Sequence, residues 1–247
     1  MDSSNYPFIL LKDLAEAFIH ECVEGGSDPF RVAWYKSDTT ESINYLKSGD
    51  IDVALTYSPV AENIAIAQGI ATSPSYYAWR DHFMLVGPSS NPAKLEKEWD
   101  IPAMFSTIVM EAEKGIADPP VRFLTRFDKS ATNIKDSELF ISVGQYISYP
   151  IQALTAAALL KEYTITDRGT YLSVTKEIHD KITIFKAGSD DANDPLLNPA
   201  HLIIGTKANN MEIAKKFAQW ITSPSGQKII TEFKKNGEQL YSGAPVV

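Results

Sequence analysis

Tyr163-Thr164-Ile165-Thr166-Asp167-Arg168-Gly169-Thr170-Tyr171-Leu172 is the stretch on which the reading of the fold turns. It reads as a turn feeding a short helix. Asp167 supplies a capping carboxylate for the N–H groups that follow, and Gly169 permits close packing. A cap of this kind serves any helical turn, so the stretch reports scaffold more than site.

Working outward, apolar spacing gives alternating strands and helices. Leu10, Leu14, Ala17, Phe18 and Cys22 recur at helical spacing and predict a helix over 7–24, ended by Gly25-Gly26. Residues 30–35 read as a strand, 39–47 as a helix with Ile43 and Leu46 inward, and 51–57 as an apolar strand covered on both faces. Strand, helix, strand implies parallel pairing. A second apolar strand is expected at 81–86, followed by the turn-rich Gly87-Pro88-Ser89-Ser90-Asn91-Pro92. Beyond it come helices at 106–114, 135–140 and 151–161, strands at 121–124 and 181–185, an acidic loop over 190–195, and a returning strand at 201–206. The chain closes with a helix at 211–221 and a last one capped by Ser223, with Pro224 in its first turn, and terminated by Asn236-Gly237. The expected fold is therefore α/β with two lobes, each a mainly parallel sheet flanked by helices, joined by two crossover strands. Residues 1–84 with 202–247 form lobe I, and 85–201 form lobe II.

Composition agrees with one globular unit of two lobes. The 247 residues exceed the usual single-core size of about 100–150. A hydrophobic share of 44% and a charged share of 22% are ordinary for soluble proteins. A net charge of −8 disfavours nucleic acid and anionic membranes, and makes any anionic ligand depend on local donors. No apolar run approaches the ~20 residues of a membrane-spanning helix, and residues 1–6 do not read as a signal peptide. That places the chain in the cytoplasm if Met1 is the natural start, and in the periplasm or outside the cell if a signal peptide was removed. The single Cys22 allows no internal disulfide and is expected to be a buried structural residue.

The decapeptide resembles a signature of the tungstate- and molybdate-binding proteins of bacterial uptake systems, and other blocks resemble the same family in the same order. These are Gly49-Asp50-Ile51-Asp52-Val53, Phe83-Met84-Leu85-Val86-Gly87-Pro88, Asp194-Pro195-Leu196-Leu197-Asn198-Pro199, Trp220-Ile221-Thr222-Ser223-Pro224-Ser225-Gly226-Gln227 and Asn236-Gly237-Glu238-Gln239-Leu240-Tyr241. The resemblance implies a periplasmic-binding-protein fold of type II. It also implies a ligand held in the cleft between the lobes, beyond the carboxyl ends of the strands.

Carried over residue by residue, the resemblance names the ligand groups. The family's Thr-Thr-Thr-Ser run falls on Met1-Asp2-Ser3-Ser4, leaving Ser3 and Ser4 as donors. Its Gly-Thr-Gly-Gln turn falls on Asp38-Thr39-Thr40-Glu41, which keeps Thr39 and adds two carboxylates, of which Asp38 reads as a helix cap. Its Ser-Arg-Gly-Asp-Asp-Ser-Gly-Thr-His is similar to Thr125-Arg126-Phe127-Asp128-Lys129-Ser130-Ala131-Thr132-Asn133, which retains Arg126, Ser130 and Thr132. A guanidinium offers forked donors to an anion. Phe127 and Ala131 replace glycines, and Gly144-Gln145-Tyr146-Ile147-Ser148 stands for Gly-Gln-Gly-Met-Gly. Tyr57, Tyr76, Tyr77, Trp79, Phe127, Tyr146 and Tyr149 fall near the expected cleft loops and suit a flat organic ligand better than a compact ion.

Two function classes follow. The first is reversible capture of a small anionic or aromatic organic ligand by Arg126, Ser130, Thr132, Ser3, Ser4, Thr39, Tyr57, Phe127, Gln145 and Tyr146, by a monomer that serves an ABC-transporter permease if exported. The second is an enzyme evolved from this fold, with acid/base chemistry on His82 and His201, which the two crossing strands could bring together. Asp81 or Asp128 would assist them. Adjacent strand residues face opposite ways, so only one of Asp81 and His82 can serve a regular strand's ligand face. No cofactor or metal motif is present in the sequence, and neither is a nucleophile elbow.

Overall fold

The computed structural model describes residues 6–126, 132, 135, 145–146 and 150–245. In chain order they form α1 (Tyr6–Glu24), α2 (Thr39–Ser48), β1 (Val53–Thr56), α3 (Pro59–Ala67), β2 (Tyr76–Pro88), α4 (Ile101–Lys114), β3 (Thr125–Arg126) and β4 (Gln145–Tyr146). Then come α5 (Pro150–Leu160), β5 (Thr164–Asp167), the single turns α6 (Arg168–Tyr171) and α7 (Lys176–His179), and β6 (Ile182–Ala187). The chain ends with β7 (Leu197–Ile204), α8 (Met211–Ile221), α9 (Pro224–Glu232), β8 (Lys234–Lys235), β9 (Glu238–Gln239) and β10 (Ser242–Gly243). They belong to two compact units: a middle unit, His82–Leu197, and an end unit built from Asn5–Asp81 and Asn198–Val247. No described helix is long and apolar enough to cross a membrane.

In the end unit Leu10, Leu14 and Phe18 recur every fourth residue on α1 and are almost completely buried. The Phe18 ring meets Phe30 at 5.8 Å, Phe217 at 5.0 Å and Trp220 at 5.5 Å, which locks α1 to α8. Asp38 caps α2, its Oδ1 accepting from Glu41 N at 2.8 Å, and Gly49 ends the helix with φ 89°. The sheet runs β1-β7-β2-β10, with β7 antiparallel to β1 and β10 antiparallel to β2.

The middle unit is organised by the second half of β2. Phe83 and Leu85 face one side of the sheet and pack with Met104, Ile108, Phe123, Tyr163 and Leu196. Met84 and Val86 face the other and pack with Leu154, Ala158 and Ile182. This period-2 division explains why the stretch reads as uniformly apolar. Each large side chain so buried is worth about 1.5–3 kcal/mol. Tyr163, fully buried, is tied in by its hydroxyl, which donates to Asn91 Oδ1 at 2.9 Å and accepts from Ala93 N at 3.0 Å. Burial pushes that phenol up to about 12. Gly87 is required beneath it, because a Cβ there would overlap the Tyr163 ring.

Several expectations are corrected. Residues 30–35 form no strand: Phe30 is drawn onto Phe18, Trp34 and Tyr35 are exposed, and β1 pairs with β7. The sheets are parallel only in part. In the middle unit β3 and β4 are parallel, Phe123 bridges Tyr163 in parallel, and β5 and β6 each run against β2. Among the described strands there, β2 alone opposes the rest. In the end unit β7 lies between β1 and β2, so the β1 ladder is antiparallel despite the intervening helix. Asn236-Gly237, with φ 52° and 84°, does not end a helix but turns the β8–β9 hairpin. Cys22 is only half-buried, although burial still raises its thiol pKa. The expected helix at 135–140 lies outside the described residues except for Lys135.

The change of unit falls between Asp81 and His82 and between Leu197 and Asn198, a few residues from the expected 84/85 and 201/202. Local bonding gives the reason. Phe83 N donates to Leu196 O at 2.8 Å and Gly188 N donates to Phe83 O at 2.9 Å, whereas Asp81 is bonded to Asn198.

Candidate functional site

Topology gives the middle unit one chemically distinct edge. The parallel strands β3 and β4 end at Arg126 and Tyr146, in register Arg126↔Tyr146. β5 continues beside β3, since Leu124 N donates to Tyr163 O at 2.8 Å and Thr164 Oγ1 donates to Leu124 O at 2.8 Å. β5 and β6 both oppose β2, pairing Phe83 with Asp167 and Met84 with Ala187. The carboxyl ends of β3, β4, β5 and β6 therefore share an edge with His82 and Phe83, where β2 enters the unit. In sheets of this kind ligands bind beyond that edge.

The signature decapeptide builds much of it. Tyr163 anchors the core, and Thr164 ties β5 to Leu124. Asp167 caps α6, its two oxygens accepting from Thr170 N at 2.8 Å and Thr170 Oγ1 at 2.7 Å. Arg168 follows directly. Its Nε is buried and has no hydrogen-bond partner among the described residues, and no salt bridge among them reaches its guanidinium.

His82, 6% exposed, places Nε2 at 2.9 Å from Asp190 Oδ1. Burial lowers the imidazole pKa, the Asp190 contact acts against this, and the Arg168 charge reinforces it. Burial thus favours the neutral imidazole at His82. Asp190 belongs to the acidic loop, whose fold is set by Asp194 accepting from Ser189 N, Ser189 Oγ and Leu196 N at 2.6–2.8 Å. Burial alone would raise the Asp194 pKa, and these bonds outweigh it.

The end unit holds a second histidine–carboxylate pair. Register sets Thr56 on β1 opposite His201 on β7. Ser58 caps α3, so Glu62 in its first turn folds back over the strand end. Glu62 accepts a hydrogen bond from Thr56 Oγ1, and its Oε2 lies 3.3 Å from His201 Nδ1. That approach lacks hydrogen-bond alignment, and Nδ1 is left without a partner among the described residues. The Tyr77 ring meets the imidazole at 4.6 Å, edge to face. Burial raises the Glu62 pKa and lowers that of His201, so both tend to neutrality.

Among the residues expected from the sequence, Arg126, Gln145 and Tyr146 sit on the strand ends just described, and Thr132 is buried. Ser3, Ser4, Phe127, Asp128 and Ser130 lie outside the described residues. Thr39 opens α2, half-buried. The Tyr57 hydroxyl accepts from Trp79 Nε1 at 3.2 Å. The expected assistance of His82 by Asp81 is replaced. Asp81 accepts from Asn198 Nδ2 at 3.4 Å, and Asp190 is the carboxylate on His82, because alternate residues of β2 face opposite ways. Each histidine has a carboxylate of its own unit. Sequence reasoning missed Glu62, although Ser58-Pro59 before it is a helix-start signal. It read Asp190 only as acidic loop, and Arg168 only as part of a scaffold motif. Among the described residues no group of three or more His, Cys, Asp or Glu could hold a metal ion.

The sequence model of the PBP superfamily domain matches residues 2–225, and the chain belongs to that superfamily. A tungstate-binding protein, TupA, from Peptoclostridium acidaminophilum is 32% identical over 221 residues, 84% of this chain and 71% of the relative, which places the chain in the tungstate- and molybdate-binding family that the sequence motifs resemble. A crystal structure of a periplasmic protein provisionally described as metal-binding shares 58% identity, with a TM-score of 0.91 over 96% of this chain and 92% of that one. The tungstate ABC transporter structure from Geobacter sulfurreducens superposes with a TM-score of 0.74 at 24% identity, over 93% and 95% of the chains, a likeness of fold.

Proposed function

We propose that the protein reversibly captures a small oxyanion at the carboxyl edge of the middle unit and delivers it to an ABC-transporter permease. The observation that carries this is the position of Arg126 at the end of β3, on the edge where β4, β5 and β6 also finish. Ser130, Thr132, Ser3 and Ser4 complete the proposed donor set. Tungstate and molybdate are the first ligands to test, because the TupA relative is a tungstate-binding protein. The carboxylates that replace the family's glycine and glutamine are less of an obstacle than their charge suggests. Asp38 is committed to capping α2, and Glu41 is exposed to solvent. The larger residues at Phe127, Ala131 and Tyr146 replace glycines, and weaken the fit for a compact ion.

Calorimetric titration tests the proposal. Tungstate is expected to bind, more weakly than to the Peptoclostridium acidaminophilum protein measured alongside. Arg126→Ala should weaken binding by about 1.5–3 kcal/mol, the range for hydrogen bonds to charged groups, without unfolding the chain. Equal affinity in a folded Arg126→Ala protein would overturn the assignment.

The acid/base alternative has one observation in its favour: His82, buried and hydrogen-bonded to Asp190, stands on the same edge. Mass spectrometry of candidate acids after incubation separates the two readings. Ligands returned unchanged support capture, and a product that disappears in His82→Ala supports catalysis.

A further inference from the structure

We infer that Arg168 is a second anion-contacting arginine at this edge and that it makes the site select dianions over monoanions. This rests on the capture reading above.

β5 lies beside the β3 segment through the Phe123–Tyr163 bridge and the Thr164–Leu124 bond, and neighbouring strands stand about 4.8 Å apart. Arg126 ends one of these strands and Arg168 directly follows the other, so the two cationic residues leave adjacent parallel strands at the same edge.

Among the described residues Arg168 also lacks a counter-charge. The carboxylate next to it in sequence, Asp167, has both oxygens engaged by Thr170. Asp190 is engaged by His82. Arg168 Nε is buried and unpartnered among the described residues. A buried donor left without an acceptor is costly, the more so when charged, and a bound anion removes that cost. Where a plain structural arginine would be paired with a carboxylate, none of the described residues pairs with this one, on a protein whose net charge is −8.

His82 lies close enough to feel the Arg168 charge, and its burial favours a neutral hydrogen-bonding group over a further positive charge. Arg126 and Arg168 are the arginines at the described strand ends of this edge, whereas Lys186, near the end of β6, is engaged by Trp99 O, and two guanidinium groups match two negative charges on the ligand.

Tungstate and perrhenate, tetrahedral oxyanions of nearly equal size carrying two and one negative charges, are the probes. In wild-type protein tungstate should bind more tightly than perrhenate. Arg168→Gln should weaken tungstate about tenfold or more and perrhenate much less, so that their affinity ratio collapses. Arg168→Met, which keeps the packing of the stem and loses the charge, should do the same. An unchanged ratio in either folded variant overturns the inference. If Arg126→Ala still weakens tungstate, the capture reading survives that result. If neither arginine matters, both fall. Should both Arg168 variants fail to fold, arginine-selective dicarbonyl labelling of wild-type protein decides. Tungstate should protect Arg168 from modification, and protection of Arg126 alone would overturn the inference.

Discussion

His82 on β2 and His201 on β7 look alike in the sequence, each a lone histidine on a crossing strand, yet their surroundings are built in opposite senses. At His82 the imidazole is withdrawn from solvent and its partner carboxylate, Asp190, is 48% exposed on a loop. At His201 the carboxylate is withdrawn: the Glu62 side chain is 1% exposed against 13% for the imidazole. The first pair lies at the strand-end edge, with its carboxylate reached by solvent. The second closes the end of β1 against α3, and its carboxylate accepts from Thr56 while lying beside the imidazole. Burial of the carboxylate therefore makes the His201 pair part of the scaffold, whereas exposure of the carboxylate leaves the His82 pair only half withdrawn from water.

The largest effect that can break this distinction is the loss of Glu62. Glu62→Ala leaves the Thr56 hydroxyl without its acceptor in a buried place, and should lower unfolding free energy by about 2–4 kcal/mol in denaturant titration. Glu62→Gln, which keeps an acceptor oxygen, should cost clearly less. Equal, small losses for both would show that the carboxylate is not structural.

Asp190→Ala is the matching change in the middle unit. Because Asp190 is half in solvent, the expected stability loss is about 1 kcal/mol or less, by the same denaturant method. A loss as large as that of Glu62→Ala would erase the contrast between the two pairs.

The smallest and most discriminating effect is on pH dependence. Burial holds both imidazoles below their ordinary value of 6.5, so just below that pH the unfolded chain binds more protons than the folded one. Stability contributed by the neutral histidines is therefore complete above 6.5 and is lost as pH falls through the window down to their folded values. Glu62 acts in the reverse direction. Its pKa is raised above 4.5, so its contribution is present below 4.5 and is lost as pH rises through its folded value. Melting temperatures between about pH 5 and pH 7 should fall on acidification, less steeply in His82→Gln and more steeply in Glu62→Gln. Parallel profiles for wild type and both variants would remove the electrostatic part of the comparison.

The sequence by itself determined the class of fold and the places of most helices. Apolar spacing every three or four residues fixes α1 and α8 from local chemistry, and side chains such as Asp38, Asp167 and Ser223 cap helices through bonds to nearby backbone N–H groups. The ordered blocks around the decapeptide carried the family, because residues such as Tyr163, Gly87 and Thr164 are demanded by close packing of one particular core. What only the tertiary structure decided is everything set by partners distant in the chain. Strand pairing is one case: residues 30–35 have the composition of a strand and form none, and β1 pairs antiparallel with a strand some 150 residues away. The pairing of charged groups is the other. Asp190 on His82, Glu62 on His201 and the absence of any described partner for Arg168 follow from strand register and burial, and register depends on hydrogen bonds between segments that local propensity cannot see.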